Sequence, residues 1–389
     1  MADEASSSTT MPKGHRISII GAGLAGLTLG RCLHQKGIKS SIFEKARKSV
    51  NRNNYGVTLY SKSYLPLLQV LQLDEASFRK KVAVDGHLVG GTGSIRGQGE
   101  TDCFKANMNR LEALLAEELE VKWDHELTTL EPLPGAVELE FKNHSRHAST
   151  SVVGADGPHS IVRGKILPDV GLTTLPYATY NGKRRVSREE WDRSFATGFE
   201  GGNVVEKRVE DGGTTLLQIS LNSVSDDEAS INYVFSRPAK RSGEDALYRP
   251  QRDKAEAKDV PDELFAEVED LQDHLSGPFK LIFDPEAMKK DRLLNWLMRS
   301  LHVDAAKLDQ PAEEGIVLIG DAAHAEPILG GMGANQSIED AIALAEILAA
   351  KDAKLQDLYD RRAGEWQKGL NEAESRIGDI HGVASRASL

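Results

Sequence analysis

Little in this chain would anchor it outside the cell or in a membrane. Its 389 residues include only two cysteines, Cys32 and Cys103, which rules out a disulfide framework and favours a reducing compartment. Cys32 reads as a small core residue on the first helix. No apolar run approaches the ~20 residues of a membrane helix. Residues 1–15, rich in Ser, Thr and charge, lack a signal peptide's apolar stretch and read as a disordered leader. Positive charge is also in deficit: 48 Lys and Arg against 59 Asp and Glu give a net −11. That balance disfavours nucleic acid and anionic membranes as partners. Gly-x-Ser-x-Gly and Cys-x-x-Cys are absent, so a serine hydrolase or dithiol mechanism has no support. No His, Cys and carboxylate spacing resembles a metal site, and no metal is expected. What remains is 40% apolar and 28% charged, the composition of a globular protein, expected in the cytoplasm.

Glycine, by contrast, gathers at the ends of apolar strands. Ile17-Ser18-Ile19-Ile20 reads as a short strand, and Gly21-Ala22-Gly23-Leu24-Ala25-Gly26 follows it as a G-x-G-x-x-G turn. Leu27, Leu29 and Leu33 continue as a helix ending at Gly37, a plausible αL cap. Ser41-Ile42-Phe43 makes a second strand ending in Glu44. The first glycine permits a tight turn, the second admits a pyrophosphate, and the third lets helix pack on strand. The acid about twenty residues on can take a ribose diol. Strand, turn, helix, strand and acid in this order point to dinucleotide binding, with NAD and FAD both open.

A related pattern lies near the other end. Ile316-Val317-Leu318-Ile319 reads as a buried strand leading into Gly320-Asp321-Ala322-Ala323-His324, then Pro327, Gly330, Gly331, Gly333, Ala334 and Asn335. Ile338, Ile342, Ala345 and Leu348 share one face of a helix over 337–350. An acid at a strand end accepts from hydroxyls, glycines admit close backbone approach, and a helix N-terminus supports negative charge. Between the two, Ser151-Val152-Val153-Gly154 is another strand, ending in Asp156-Gly157 with Arg163 shortly after.

Together these three motifs resemble those of the single-component FAD-dependent aromatic hydroxylases, the group A flavoprotein monooxygenases. The likeness runs from Arg16 to Gly369 and takes in Tyr359-Asp360-Arg361-Arg362 and Trp366, similar to the family's closing helix. Residues 326–335 look most like the fungal secondary-metabolism branch. The resemblance implies an α/β fold. Residues 16–174 and 296–389, with a short insert at about 55–105, would form a Rossmann-type FAD-binding domain, three-layered with a mostly parallel sheet. Residues 175–295 would form an inserted antiparallel-sheet substrate domain.

The resemblance also implies FAD as cofactor. Gly21, Gly23, Gly26 and Glu44 would hold its ADP half, with Ala25, Lys45 and Gly56 also on the cofactor. Asp321, beside Gly320 and Pro327, would bind the ribityl chain or nearby pyrophosphate. Gly331, Gly333, Ala334 and Asn335 would place a helix N-terminus beside the flavin N1–C2=O edge. Asp156, Gly157 and Arg163 would brace the cofactor and the nicotinamide approach. The implied chemistry uses NADPH or NADH as transient reductant and O2 to oxygenate an aromatic or polycyclic small molecule through a flavin C4a-hydroperoxide. It is flavin-centred, with no catalytic side chain assigned, in a monomer or homodimer. Open alternatives are other reactions on the same fold (Baeyer–Villiger insertion, epoxidation, dehydrogenation, cyclisation with FAD as scaffold) and flavin binding without turnover. One position departs from the family: members carry an Arg just before the helix that here starts at Asn109, where this chain has Met108. Arg110, two residues along, would point in another direction, which weakens the expected hold on FAD.

Between the motifs, Leu111, Leu114, Leu115 and Leu119 mark a helix over 109–120, and 130–140 alternates as one strand. Residues 75–101 are dense in glycine (Gly86, Gly90, Gly91, Gly93, Gly97, Gly99) and read as turns between short strands. Residues 214–221 and 230–235 read as antiparallel strands over the flavin, with Gly201-Gly202 and Asp211-Gly212-Gly213 as turns. The charged stretch 237–262 reads as a solvated loop, followed by a helix through Leu264, Phe265, Val268 and Leu271. Tyr180, Phe199, Tyr233 and Phe235 are the candidate substrate-pocket residues, with Trp191 and Trp296 as further aromatics that could line it or be plain core.

Overall fold

Short runs of β-branched and aliphatic residues, each stopped by a glycine or acidic turn, build the framework around the three motifs. The computed structural model describes residues 16–48, 54–95, 103–200, 202–210, 213–240, 244–352 and 354–382. The expected leader 1–15 and the turn residues Gly97, Gly99, Gly201, Asp211 and Gly212 lie outside the described residues. In chain order the strands begin β1 Ile17–Ile20, β2 Ser40–Phe43, β3 Gly56–Tyr60, β4 Cys103–Asn107, β5 Val121–Lys122, β6 Leu127–Leu133, β7 Ala136–Phe141 and β8 Arg146–Ser149. They continue as β9 Ser151–Gly154, β10 Thr173–Ser187, β11 Val204–Glu210, β12 Thr214–Val224, β13 Glu228–Pro238, β14 Arg292–His302, β15 Ile316–Leu318 and β16 His324–Ala325.

The first sheet runs β15-β9-β1-β2-β5, all parallel, with Ile17 in register with Ser40 on one side and Ser151 on the other. Every residue of β1 and β9 is buried, as in a parallel sheet covered on both faces. Helices α1 (Leu24–Gln35) and Gly333–Ala349 pack together beside it and fill the main core with Leu27, Leu29, Ile338, Leu344 and Leu348. All three motif turns therefore leave the same, C-terminal edge of one sheet, where α/β folds place their ligands.

The second sheet is antiparallel, in the order β11-β12-β13-β10-β14-β16. Its period-2 alternation puts Leu217, Ile219 and Leu221 of β12 into a second core with Tyr180, Tyr233 and Phe235. The sheet runs from Thr173 to Ala325, through both expected boundaries of the inserted domain. A β3–β4 pair and a three-stranded β6-β7-β8 sheet complete the fold.

Three local expectations are corrected. Residues 130–140 are not one strand, because Gly135 at φ +75° turns the chain between β6 and β7 into a hairpin. Residues 75–101 contain helix Glu75–Val82, started by Asp74, whose side chain accepts from the Ser77 amide at 2.9 Å. The glycines dominated the reading of that segment, and the N-cap was the missed signal. The 237–262 stretch is not wholly solvated: Arg237 is buried and paired with Asp245 at 2.8 Å and Glu267 at 2.7 Å.

Candidate functional site

The glycines of the first motif do three different jobs. Gly21, at φ +108°, turns the chain from β1 toward α1, and a Cβ there would stand 2.3 Å from the Ala155 carbonyl oxygen. A Cβ on Gly23 would meet nothing within 4 Å, because that position opens onto a cavity. A Cβ on Gly26 would stand 2.0 Å from the Gly21 carbonyl oxygen, so Gly26 is where helix meets strand. Helix α1 carries no side-chain cap at Gly23, and the Gly333–Ala349 helix carries none at Met332. Two helix N-termini with open donors thus face one space.

That space is a cavity of about 610 Å³ between the two sheets, within the size range of small-molecule and cofactor pockets. Of the residues expected on the cofactor, Gly21, Gly23, Ala25, Glu44, Lys45, Gly56, Met108, Asp156, Gly157, Asp321, Pro327, Gly331, Gly333 and Ala334 line it. Glu44 is buried and accepts from the Ala22 amide and the Ala46 amide, both at 2.9 Å. Those bonds aim its carboxylate at the first glycine turn. Asp156 accepts from Ser160 Oγ at 2.5 Å and the Ile161 amide at 2.6 Å, so it holds the first turn of the helix Ile161–Ile166, whose N-cap is Ser160, while lining the cavity. Burial raises its pKa. Asp321 lines the cavity with no hydrogen-bond partner among the described residues, and burial raises its pKa as well. A carboxylate in that setting is an acceptor waiting for donors.

Four expected contacts are positioned otherwise. Gly26 lies within α1, on the side that packs against Gly21 and Ile19. Arg163 is buried and donates to the Ala322 carbonyl at 2.9 Å and the Pro158 carbonyl at 2.7 Å, tying the second motif to the third from behind. Gly320, at φ +57°, is wedged where a Cβ would stand 2.8 Å from Ser337 Oγ. Asn335 accepts from the Tyr60 amide and donates to the Thr58 carbonyl, both at 2.9 Å, pinning β3 to the helix start. None of these four lines the cavity.

The aromatic substrate-pocket assignment is corrected. Tyr180, Phe199, Tyr233 and Phe235 are all buried in the second core, and none lines the cavity. Successive strand residues face opposite ways, so the cavity receives their neighbours: Gln218, Ser220 and Asn222 of β12, Asn232 and Val234 of β13, and Trp296 of β14. The alternation of polar with aliphatic residues along β12 was the available signal for these.

The Met108 departure has a definite geometry. Met108 opens the helix Met108–Ala116 and lines the cavity, while Arg110 donates to the Ala83 carbonyl at 2.9 Å and does not line it.

Behind the Asp321 turn lies a node that the motifs did not reveal. Asp340, fully buried, accepts from His324 Nε2 at 2.6 Å, the Gly320 amide at 3.0 Å, and Arg362 Nε and Trp366 Nε1, both at 2.8 Å. Arg362 and Trp366 belong to the closing helix Asp357–Ile380, so one carboxylate joins the third motif to the end of the chain. Among the described residues no group of His, Cys and acids is placed to hold a metal ion, and no helix is long and apolar enough to cross a membrane.

Comparison with known proteins agrees with this geometry. A model described as an FAD binding domain matches residues 15–168 and 285–363, the segments that carry the three motifs. The FAD-dependent monooxygenase adaC of Aspergillus niger is 31% identical over 94% of this chain and 93% of its own. The FAD-dependent monooxygenase vrtH of Penicillium aethiopicum is 30% identical over 94% and 92%. Among solved structures, 2,6-dihydroxypyridine-3-hydroxylase from Arthrobacter nicotinovorans has the same fold, with a TM-score of 0.71 at 18% identity over 97% of this chain and 95% of that one. Klebsiella pneumoniae HpxO, complexed with FAD and uric acid, superposes with a TM-score of 0.68 at 17% identity over 95% and 89%. The chain belongs to the FAD-dependent monooxygenases built on this FAD-binding domain.

Proposed function

We propose that the cavity binds one FAD and that the enzyme uses NAD(P)H and O2 to oxygenate an aromatic or polycyclic small molecule in secondary metabolism. The observation that supports this most is the convergence of three motifs, far apart in sequence, on one cavity faced by two open helix N-termini. The residues fit the cofactor: the open position at Gly23 is a cradle that a side chain would fill, and Asp321 offers a carboxylate without a partner among the described residues. Glu44 and Lys45 would take the ADP end, Gly23–Ala25 the pyrophosphate, and Asp321 the hydroxyls of the ribityl chain. When bound, the flavin supplies hydride acceptance from the nicotinamide and activation of O2. The chain's own contribution is to orient and to exclude water. The N-terminus of the 333–349 helix favours negative charge beside it, an effect of up to about 2 kcal/mol in a partly buried setting. The second sheet closes the cavity with Trp296, Val234 and a polar row. Its place beside the motif turns makes it the wall for substrate. Cys32 is a buried thiol whose pKa burial pushes up to about 12, a reduced core residue that suits the cytosol.

Loading the purified chain with FAD and following NAD(P)H oxidation, alone and with aromatic compounds, tests the proposal. Flavin absorbance that co-purifies or titrates in at one equivalent is expected, with Asp321→Ala lowering occupancy and turnover together. Full occupancy and turnover in Asp321→Ala would contradict the placement.

Met108 supplies an independent check. An Arg at that cavity wall would add a charge-assisted contact to the cofactor's phosphates, about 1.5–3 kcal/mol, or roughly ten- to a hundredfold in affinity. Met108→Arg is therefore expected to bind FAD more tightly in a fluorescence titration, and Arg110→Ala to bind it about as the parent does. A large loss in Arg110→Ala with no gain in Met108→Arg would show that Arg110 is the phosphate contact.

A further inference from the structure

The substrate half of the cavity presents hydrogen-bond donors. Lys105, on β4, lines it and has neither an ion pair nor a side-chain hydrogen bond among the described residues. Its arm crosses β3 at Gly56, where a Cβ would stand 2.7 Å from Lys105 Cε. The missing side chain at Gly56 is what lets the lysine reach toward β12. On β12, Asn222 is 1% exposed and its Oδ1 already accepts from the Gly56 amide at 3.0 Å. That bond fixes the amide's orientation, and Asn222 Nδ2 is left buried with no partner among the described residues. Asn232 Oδ1 is likewise occupied, by Asn181 Nδ2 at 2.9 Å, so its amide nitrogen is the group left to bind a ligand. A buried donor without an acceptor costs about 1–3 kcal/mol, and the Asn222 donor beside an ammonium marks the place of a ligand oxygen. Trp296 on the same wall provides an aromatic surface.

We propose that Lys105, with Asn222, is the specificity-determining group for the substrate, binding an anionic oxygen on its aromatic skeleton. This rests on the monooxygenase reading above and names the class of molecule that reading takes: aromatics bearing an ionised phenol or enol, or a carboxylate. Burial lowers the Lys105 pKa to about 8, with Glu206 opposing the shift and Arg376 adding to it. Amine and ammonium are then both accessible near neutral pH. The amine form takes the O–H proton of an entering phenol, so the O–H bond breaks, an N–H bond forms, and the ammonium faces the new oxygen anion. A carboxylate arrives ionised and meets the ammonium form directly.

The test titrates FAD-loaded protein with 2-naphthoate, 2-naphthol and 2-methoxynaphthalene, reading the perturbation of the flavin spectrum. Parent protein prefers 2-naphthoate, 2-naphthol or both over the ether, and bound 2-naphthol shows the red-shifted absorbance of naphtholate if the phenol is the source. Lys105→Met loses about ten- to a hundredfold on the preferred anion, the worth of a charge-assisted hydrogen bond. It keeps the ether's weaker binding, and Lys105→Arg restores the carboxylate. Failure of the parent to take up FAD would sink the monooxygenase reading itself. Normal FAD loading with no preference for either anion, or a Lys105→Met loss that falls on FAD rather than on the probes, overturns this inference alone.

Discussion

Asp340→Ala is expected to lower the unfolding free energy of the flavin-free protein by about 3–5 kcal/mol, the cost of stranding buried partners of an ion pair. Arg362 and His324 are both buried against this carboxylate, and Arg362 also pairs with Glu339 at 2.9 Å. With the acid gone, Arg362 keeps Glu339 and the Gln336 side-chain carbonyl, and the Gly320 amide and Trp366 indole lose their acceptor. Asp340→Asn keeps the shape but cannot accept from four donors, so its loss is smaller. Urea midpoints measured at neutral pH check this, and an unchanged midpoint for Asp340→Ala would refute it. The node also sets a pH response. Burial opposes ionisation of Asp340, but His324, Arg362 and Trp366 prevail and hold its pKa down at about 2. A folded pKa below the unfolded value of about 3.9 contributes stability that is fully present above pH ~4 and lost as pH falls toward 2. Parent protein should therefore lose stability across that window more steeply than Asp340→Asn.

The second large effect separates two glycines three residues apart. Gly26→Ala puts a methyl group 2.0 Å from the Gly21 carbonyl and 3.2 Å from Ile19 Cγ2, so α1 must lift off β1. Overpacking of this kind costs about 1–3 kcal/mol of stability, against a helix-propensity gain of up to about 1 kcal/mol. Gly23→Ala meets nothing in the protein, so its thermal midpoint without flavin should match the parent. Its methyl group occupies the cofactor cradle, and FAD affinity should fall by about 1–3 kcal/mol, up to roughly a hundredfold. Thermal melts without FAD and fluorescence titrations with it give a crossed pattern: Gly26→Ala loses midpoint, Gly23→Ala loses affinity. Equal loss of midpoint in both variants would mean that Gly23 does not open onto the ligand space.

Much of this was legible in the chain because the signals are local. A glycine forced by a tight turn, an acid at a strand end and an aliphatic helix face are each set within a few residues. Hence β1, α1 and β2 appear where the sequence places them, and Gly37 at φ +70° ends α1 as an αL residue. The closing helix, too, was readable from Tyr359 to Trp366. The cavity wall on the second sheet was not, because alternation along β12 and β13 says that two faces exist without saying which meets the cavity. Large aromatics were natural choices, yet Tyr180, Tyr233 and Phe235 went to the core, where their area is best removed from water.

The sequence by itself determined that a dinucleotide is bound, since strand, glycine turn, helix, strand and acid follow in order, and the resemblance carried by the three motifs together pointed to FAD and to the α/β fold. Only the tertiary structure decided which residues line the cavity. It turned Arg110 onto the Ala83 carbonyl and left Met108 at the cavity wall, moved Arg163 behind the motifs, and brought Asp340, His324, Arg362 and Trp366 together from three separate segments. It also carried Lys105 across Gly56 to the cavity wall. The physical reason is that a side chain's partners depend on which elements cross it in space, and spacing along the chain does not encode that crossing.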